Sequence, residues 1–525
     1  MNKILEKFNR KTTTGAAAFL ISGAYLASRI LGLLRDRLLV SHFGIGPLAD
    51  SYSAAFRLPE LLFTLLVSGA FAVAFIPVLS EHWQRNEQEE AWQISSSLLN
   101  LLVIGTIVIG VVIFIFASPL TTLITPGFDP YRHHLTVQLT RIMLATPILF
   151  AISSVFGSIQ QSFNRFFFYA IASIFYNAGI IFGIVFLSHR YSIYGVAVGV
   201  VLGTLLQALI QALGLIGLGY RYKFVMNLRH PSVVKVIKLM VPRSIDQGID
   251  QINYTFQTII GSSLATGSLT AYYIANNLKN VPLVIFGSAI ATAAFPKLAA
   301  HAAAGRRDRL IEDFVTTARL ILFLAIPSAT IAVLMRGYII RLLFGFGNPL
   351  TANVLGWFAG TIIFQSLFFL VCRVYYATQD SRTPLYVSLF AITLNVILSF
   401  VLSKSYGVVG LAMAQSIVAI LETLVLTIIL RLRLGRIGLG NIISSLWRVL
   451  IANTIMASVV YLLVARVLPL YLLDRGFLVV GPKFMLIGIA GILAYLIPSY
   501  LLQIKEAKQA IDRLWQQLLR PLRLT

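Results

Sequence analysis

Arg29, Arg35 and Asp36 fall within one short segment, Ser28-Arg29-Ile30-Leu31-Gly32-Leu33-Leu34-Arg35-Asp36. The planar guanidinium fork can make two parallel charge-assisted bonds to a phosphate or a carboxylate. On a helix, positions 29 and 35 lie roughly 9 Å apart along the axis without facing quite the same way. The segment belongs to the first long apolar stretch of the chain. A charge there costs a few kcal/mol or more unless it meets water, a partner or a ligand. The chemistry implied is capture of an anion in a polar cavity. Arg37, Asp50, Arg57 and Glu60 extend the set. The competing use of these residues is internal ion pairing, with Asp36 or Asp50 neutralising arginines and Arg37 and Arg57 snorkelling to the interface.

A second group comprises Arg243, Asp246, Gln247, Asp250, Gln251 and Asn253. Asp246 and Asp250 are four apart and share a helix face. Two such carboxylates raise each other's pKa or hold a cation between them, which suits coupling to a proton or a monovalent ion. The alternative is a polar stripe lining water, with Arg243 as counter-ion. Asp380 is a further acid of the C-terminal half, in the turn Gln379-Asp380-Ser381-Arg382-Thr383-Pro384, and Glu422 is another. Lys279, in Asn276-Asn277-Leu278-Lys279-Asn280, can reach a central cavity as an anion ligand or snorkel outward.

These residues must be positioned by membrane helices. The 525-residue chain is 58% hydrophobic and only 12% charged, which excludes an ordinary soluble domain. Apolar stretches recur near 15–40, 54–80, 93–117, 136–160, 167–188, 192–218, 239–263, 271–297, 313–335, 353–377, 384–403, 407–430, 445–467 and 480–503. They predict an all-α polytopic membrane protein with about fourteen transmembrane helices. The net charge of +23 does not point to nucleic acid. Lys and Arg concentrate at the start, around 221–238, 306–309 and 431–436, and in the tail, whereas 41–53 and 264–270 have none. That bias places both termini in the cytoplasm and the basic loops against anionic lipid.

The two halves resemble each other at a spacing of about 218 residues. Gly46-Pro47-Leu48 answers to Gly267-Ser268-Leu269, and Ala74-Phe75-Ile76-Pro77 to Ala293-Ala294-Phe295-Pro296. Gln161 answers to Gln379, Asn177 to Asn395, and Gly195-Val196-Ala197 to Gly410-Leu411-Ala412. Six spans separate equivalent points, so the repeat is parallel. It predicts a first six-helix bundle over 1–220, a basic linker over 221–238, and a second bundle over 239–430. Two additional helices follow over 431–503, then an amphipathic tail over 504–525 lying on the membrane surface.

Nothing in the sequence equips the chain for bond-making chemistry or ATP hydrolysis: it has no phosphate-binding Gly-Lys-Ser/Thr loop and no metal-spaced His or Cys cluster. The single cysteine, Cys372, permits no internal disulfide. A transporter, not an enzyme, is expected, with no cofactor beyond a coupling monovalent cation or the membrane potential.

Ser28-Arg29-x-x-Gly32-x-x-Arg35-Asp36, Phe43-Gly44, Asp50 and Phe56-Arg57-Leu58-Pro59-x-Leu61-Leu62 resemble the MurJ/MviN family. So do Ser68-Gly69-Ala70-Phe71, Leu342-Leu343-Phe344-Gly345 and Tyr376-Ala377-x-x-Asp380-x-x-Thr383-Pro384. The resemblance implies a fourteen-helix flippase of the multidrug/oligosaccharidyl-lipid/polysaccharide exporter superfamily, in the bacterial cytoplasmic membrane. Its cargo would be lipid II, the undecaprenyl-diphosphate-linked peptidoglycan precursor. The expected substrate-binding set is Arg29, Arg35, Asp36, Asp50, Arg57 and Lys279, and the expected ion-coupling set is Asp246, Asp250 and Asp380. Membrane lipids and the cell-wall synthesis machinery are the other expected partners of a monomer that binds no nucleic acid. The chain departs from the family at Phe63-Thr64, Asn276-Asn277 and Asn280, where charged residues are usual, and at Ser68. These departures keep open a flippase for another polyprenyl-diphosphate-linked glycan. A drug/cation antiporter would favour an acidic cavity, and a non-transporting scaffold would not need the arginines.

Overall fold

The computed structural model describes residues 14–67, 70–345, 347–435, 437–471, 473–474 and 476–509; at 14–19, 70, 242, 243, 245–247, 249 and 250 it describes the backbone only. The described residues are largely helical and include no strand. Eleven helices or continuous helical stretches among them are long and apolar enough to cross a membrane. Pro231–Ser262, which carries the second expected set of charges, is not among the eleven. Its Arg243, Asp246 and Asp250 lower the mean hydropathy, as expected for a helix that carries polar groups through an apolar region.

One stretch, Phe167–Leu213, is a hairpin rather than a single rod. Its backbone reverses at Ser192, whose φ of 50° and ψ of −138° are non-helical. Glycines form the seam. A Cβ at Gly179 would strike the backbone of Gly203, one at Gly183 that of Gly199, and one at Gly195 that of Leu187 and Ser188. Contacts that step toward each other along the chain mark two antiparallel helices with their backbones in touch. The expected boundary between 167–188 and 192–218 thus corresponds to a real turn. A second hairpin joins Arg382–Tyr406 to Val408–Leu434 through Gly407, at φ 57° and ψ −141°.

The chain packs as two compact units, Met1–Thr270 and Ala271–Thr525. In the first, Phe71, Phe75, Leu79, Trp92, Leu98 and Ile159 belong to one buried cluster. Leu39, Tyr52, Met143, Ile180 and Val196 belong to another. The Pro231–Ser262 helix packs within this unit, and its Val233 and Val236 are part of the first cluster. In the second unit Ile321, Leu370, Tyr375 and Leu426 share a core, and Tyr338, Val449, Met456, Ile487 and Tyr495 share another. Large apolar side chains also cover the outside, with Val108, Val111, Phe114 and Ile115 exposed on one helix and Leu389, Phe390, Phe400 and Val401 on another. A surface so apolar requires a lipid solvent.

The beginning of the tail is packed into protein. Ile504 and Ala507 are buried in the core of the second unit, and Glu506 pairs with Arg319 at 3.0 Å. The rest of the expected amphipathic segment, from 510 onward, lies outside the described residues.

Candidate functional site

The first helix delivers its three charged residues differently. Arg29 is exposed, and its Nε and Nη2 donate to the Tyr25 hydroxyl at 3.0 and 2.8 Å. The Tyr25 ring also lies 5.1 Å from the guanidinium carbon. Four residues separate them, the helical spacing that brings side chains together. Arg35 is half-buried and donates from Nε and Nη2 to Asp36 Oδ1 at 3.0 and 2.8 Å. Its Nη1 reaches Asn177 Oδ1 at 3.4 Å. The Asn177 amide nitrogen in turn donates to the Ser28 hydroxyl and carbonyl. Asn177 therefore ties the arginine-bearing helix to Phe167–Phe182 and orients Arg35. A Cβ on Gly32 would meet Asn177 Oδ1 at 3.7 Å, which allows this approach.

Arg57 begins a separate cluster. Its Nη1 donates to Glu60 Oε2 at 3.3 Å, and the guanidinium lies 5.8 Å from the Tyr254 ring. Its Nε is buried without a hydrogen-bond partner among the described residues. A buried N–H with no acceptor is costly, and an incoming anion would relieve it.

Asp50 serves another purpose in this structure. It is 1% exposed, and both of its carboxylate oxygens are engaged. Oδ2 accepts the Gly267 amide at 2.6 Å. Oδ1 accepts the Thr270 amide and hydroxyl at 2.8 and 2.7 Å. These are orphan donors of the Ser268–Pro282 helix N-terminus, where a carboxylate is favoured. The unit is thus closed by an acid from the Pro47–Ala55 helix.

Lys279 lies inside the second unit, 1% exposed, with its Nζ 4.4 Å from the Phe358 ring centroid. No hydrogen bond or ion pair holds it among the described residues. Asn276 Oδ1, one helical turn earlier, is also buried without a partner. Tyr272 completes the patch, with its ring 5.7 Å from Phe358 and its hydroxyl donating to Gln415 Oε1.

Asp380 occupies the turn before Arg382–Tyr406, as its sequence context suggests. Its carboxylate accepts the Arg382 and Thr383 amides and the Thr383 hydroxyl, and pairs with Arg433. Desolvation acts to raise this carboxyl, but the Thr383 bonds and the Arg433 guanidinium outweigh it and hold the pKa at about 2. Asp246 and Asp250 fall on the Pro231–Ser262 helix, and their side chains lie outside the described residues.

The structure therefore gathers Arg35, Asp36, Asn177 and Ser28 in one place, and Arg57, Glu60 and Tyr254 in another. Asn177 and Tyr254 were not singled out as site residues. Asn177 stood out only as a repeat marker, and nothing local marks Tyr254. In the second unit a cavity of about 490 Å³ is lined by Ala329, Val333, Ile363, Asn453, Ala457 and Tyr461, among others. Asn453 Oδ1 is buried there without a hydrogen-bond partner among the described residues.

Residues 39–480 match the family model described as Lipid II flippase MurJ. A protein of Rhizobium meliloti (strain 1021), named as a probable lipid II flippase MurJ, is 28% identical over 466 residues and covers 85% of each chain. One of the same name from Thermotoga maritima is 26% identical over 492 residues, 93% of this chain and 96% of its own. The fold matches a solved lipid II flippase MurJ in an inward closed conformation with a TM-score of 0.78, at 24% identity over 92% of this chain and 98% of that one. It also matches an inward-facing multidrug resistance MATE family transporter of the MOP superfamily, with a TM-score of 0.67 at 14% identity, over 78% of this chain and 95% of the other. With a family model spanning most of its length and a fold to match, the chain belongs to the lipid II flippase MurJ family.

Proposed function

We propose that this protein is a lipid II flippase that moves the undecaprenyl-diphosphate-linked peptidoglycan precursor across the bacterial cytoplasmic membrane by alternating access. The observation that carries the reading is the half-buried arginine pair of the first unit. Arg35 is pre-oriented by Asp36 and Asn177, and Arg57 keeps a buried Nε without an acceptor. Such donors fit a diphosphate. Arg29, exposed one and a half turns from Arg35, would engage the same headgroup as it enters.

In this reading fourteen spans form two parallel six-helix bundles, over 1–220 and 239–430, with 431–503 appended. These bounds follow the duplication in the sequence. The division of packed units at 270 follows contacts instead, so it groups the Pro231–Ser262 helix with the first unit. The apolar cavity beside Asn453 and Tyr461 supports a groove for the polyprenyl tail on the appended helices. Both termini lie in the cytoplasm. The membrane potential or a monovalent cation at Asp246 and Asp250 drives the return step. Transport makes no bond, so no catalytic group is required.

Complementation of cells depleted of their lipid II flippase tests this reading. Wild type is expected to restore growth, and Arg35→Ala and Arg57→Ala, at matched membrane levels, to fail. Rescue by both variants removes the headgroup site. Failure of correctly inserted wild type favours a different polyprenyl-diphosphate-linked glycan as cargo, which the missing charges at Asn276-Asn277 also allow.

A further inference from the structure

The turn joining Ala70–Gln84 to Gln88–Ile115 collects three groups that are metal ligands by type. A ring nitrogen of His82 and carboxylate oxygens of Glu87 and Glu90 all lie within 4.8 Å of one another. The backbone explains the meeting. Asn86 adopts a φ of 61° and the Glu87 amide donates to the His82 carbonyl at 3.0 Å, so positions 82 and 87 face each other across the turn. Glu90 stands in the first turn of the following helix, beside Glu89. His82 is buried, while the two glutamates are half-buried.

The start of Pro231–Ser262 supports this cluster from the other side. His82 Nδ1 lies 2.6 Å from Glu87 Oε2, and His82 Nε2 lies 2.8 Å from the Ser232 hydroxyl. His230, the N-cap of that helix, places Nε2 2.8 Å from Glu90 Oε1, and its Nδ1 accepts the Ser232 amide.

Charge distinguishes these two glutamates from their neighbours. Glu81 is paired with Arg85 and Lys235, and Glu89 with Lys223. Glu87 and Glu90 have only the two imidazoles as partners among the described residues. No lysine or arginine among the described residues pairs with either carboxylate. A dication supplies the missing charge.

We propose that His82, Glu87 and Glu90 bind one divalent transition-metal cation of the zinc type, with His230 orienting Glu90 from behind. A nitrogen with two carboxylates suits zinc or cobalt, whereas calcium and magnesium prefer oxygen donors alone. Ligand atoms around tetrahedral zinc lie about 3.4 Å apart, which small side-chain rotations reach from the observed spacing. Binding displaces the proton shared between His82 and Glu87. The hydrogen bond from His230 to Glu90 is the kind of outer contact that fixes a ligand carboxylate. The bound ion would fasten the 84–88 turn to the N-terminus of the Pro231–Ser262 helix.

The test uses tag-free full-length protein in detergent, stripped with chelator, loaded with Zn²⁺ or Co²⁺ and passed through gel filtration. Wild type is expected to retain one zinc per chain, and its cobalt form to show the intense visible absorption of a tetrahedral site. Glu87→Gln and Glu90→Gln, which keep the side-chain shape, are each expected to bind at least about tenfold more weakly, whereas Glu81→Gln is expected to bind as wild type does. The proposal is overturned if wild type retains no metal. It is also overturned if the cobalt spectrum is that of an octahedral all-oxygen site, or if both glutamine variants, with wild-type elution and helicity, retain as much zinc as wild type. The cobalt spectrum decides for wild type alone should a variant fail to fold.

Discussion

The two helical hairpins, 167–213 in the first unit and 382–434 in the second, repeat one backbone solution with different side-chain chemistry. A Cβ at Gly195 would come within 2.5 Å of the Leu187 carbonyl carbon, and one at Gly410 within 2.5 Å of that of Leu402. The reversals match as well, with Ser192 at φ 50° and ψ −138° and Gly407 at φ 57° and ψ −141°. The helices also carry one asparagine each at equivalent places. Asn177 reaches across to Ser28 and Arg35, whereas Asn395 accepts from Ser399 within its own helix. The close backbone approach beside the turn is common to both hairpins, whereas the run of glycine contacts at Gly179, Gly183, Gly199 and Gly203 belongs to the first. The polar attachment of Asn177 presents an arginine in the first unit.

The largest test of this parallel is steric. Gly195→Ala and Gly410→Ala each force a methyl group into a facing backbone carbonyl. Each is expected to cost about 3 kcal/mol, seen as a lower melting temperature in detergent. Comparable losses would support a shared seam, and a loss at only one site would break it.

A smaller effect is expected at the reversals. The positive φ with strongly negative ψ is a region that glycine enters freely and serine does not. Ser192→Gly is expected to stabilise by about 1 kcal/mol, and Gly407→Ser to destabilise by a similar amount. Thermal unfolding of the pair checks whether the two turns are interchangeable.

The smallest concerns a feature of the second unit alone. Asp380, before the 382–406 helix, has its pKa lowered to about 2. A depressed carboxyl contributes stability that is present above its unfolded pKa and lost as pH falls through the folded value. The loss should therefore occur between about pH 4 and pH 2. The group is partly solvated and pairs with an exposed Arg433, so screening keeps its contribution below about 1 kcal/mol. Asp380→Asn should flatten the melting temperature of the wild type across that acid window. An unchanged slope would remove Asp380 as its source.

Much of this was legible in the sequence, for identifiable reasons. Repeated glycines and prolines report backbone needs, so Gly195 and Gly410, or Pro77 and Pro296, could be matched before their contacts were known. All fourteen apolar stretches fall largely on helices, because length and hydropathy alone dictate a helix in lipid. Of the charges on the first helix, Arg35 meets Asp36 and Asn177, and Arg29 meets Tyr25. Their partners were not legible. Asn177 lies 142 residues from Arg35, and no local pattern links them. Asp50 looked like one more cavity acid, but its carboxylate closes the 267–270 turn, again across a long sequence separation. Lys279 was expected to reach a central cavity. Its Nζ lies over Phe358 within the second unit, a partner that periodicity cannot reveal.

The glycine seam has a mechanical consequence. Where two backbones touch, no layer of side chains remains to compress or to change rotamer. The first hairpin, where glycines meet facing backbone from Gly179 to Gly203, should therefore bend and tilt as one stiff strut, delivering a displacement at one end to the other with little slack. Elastic deformation during a transport cycle must then concentrate outside this strut.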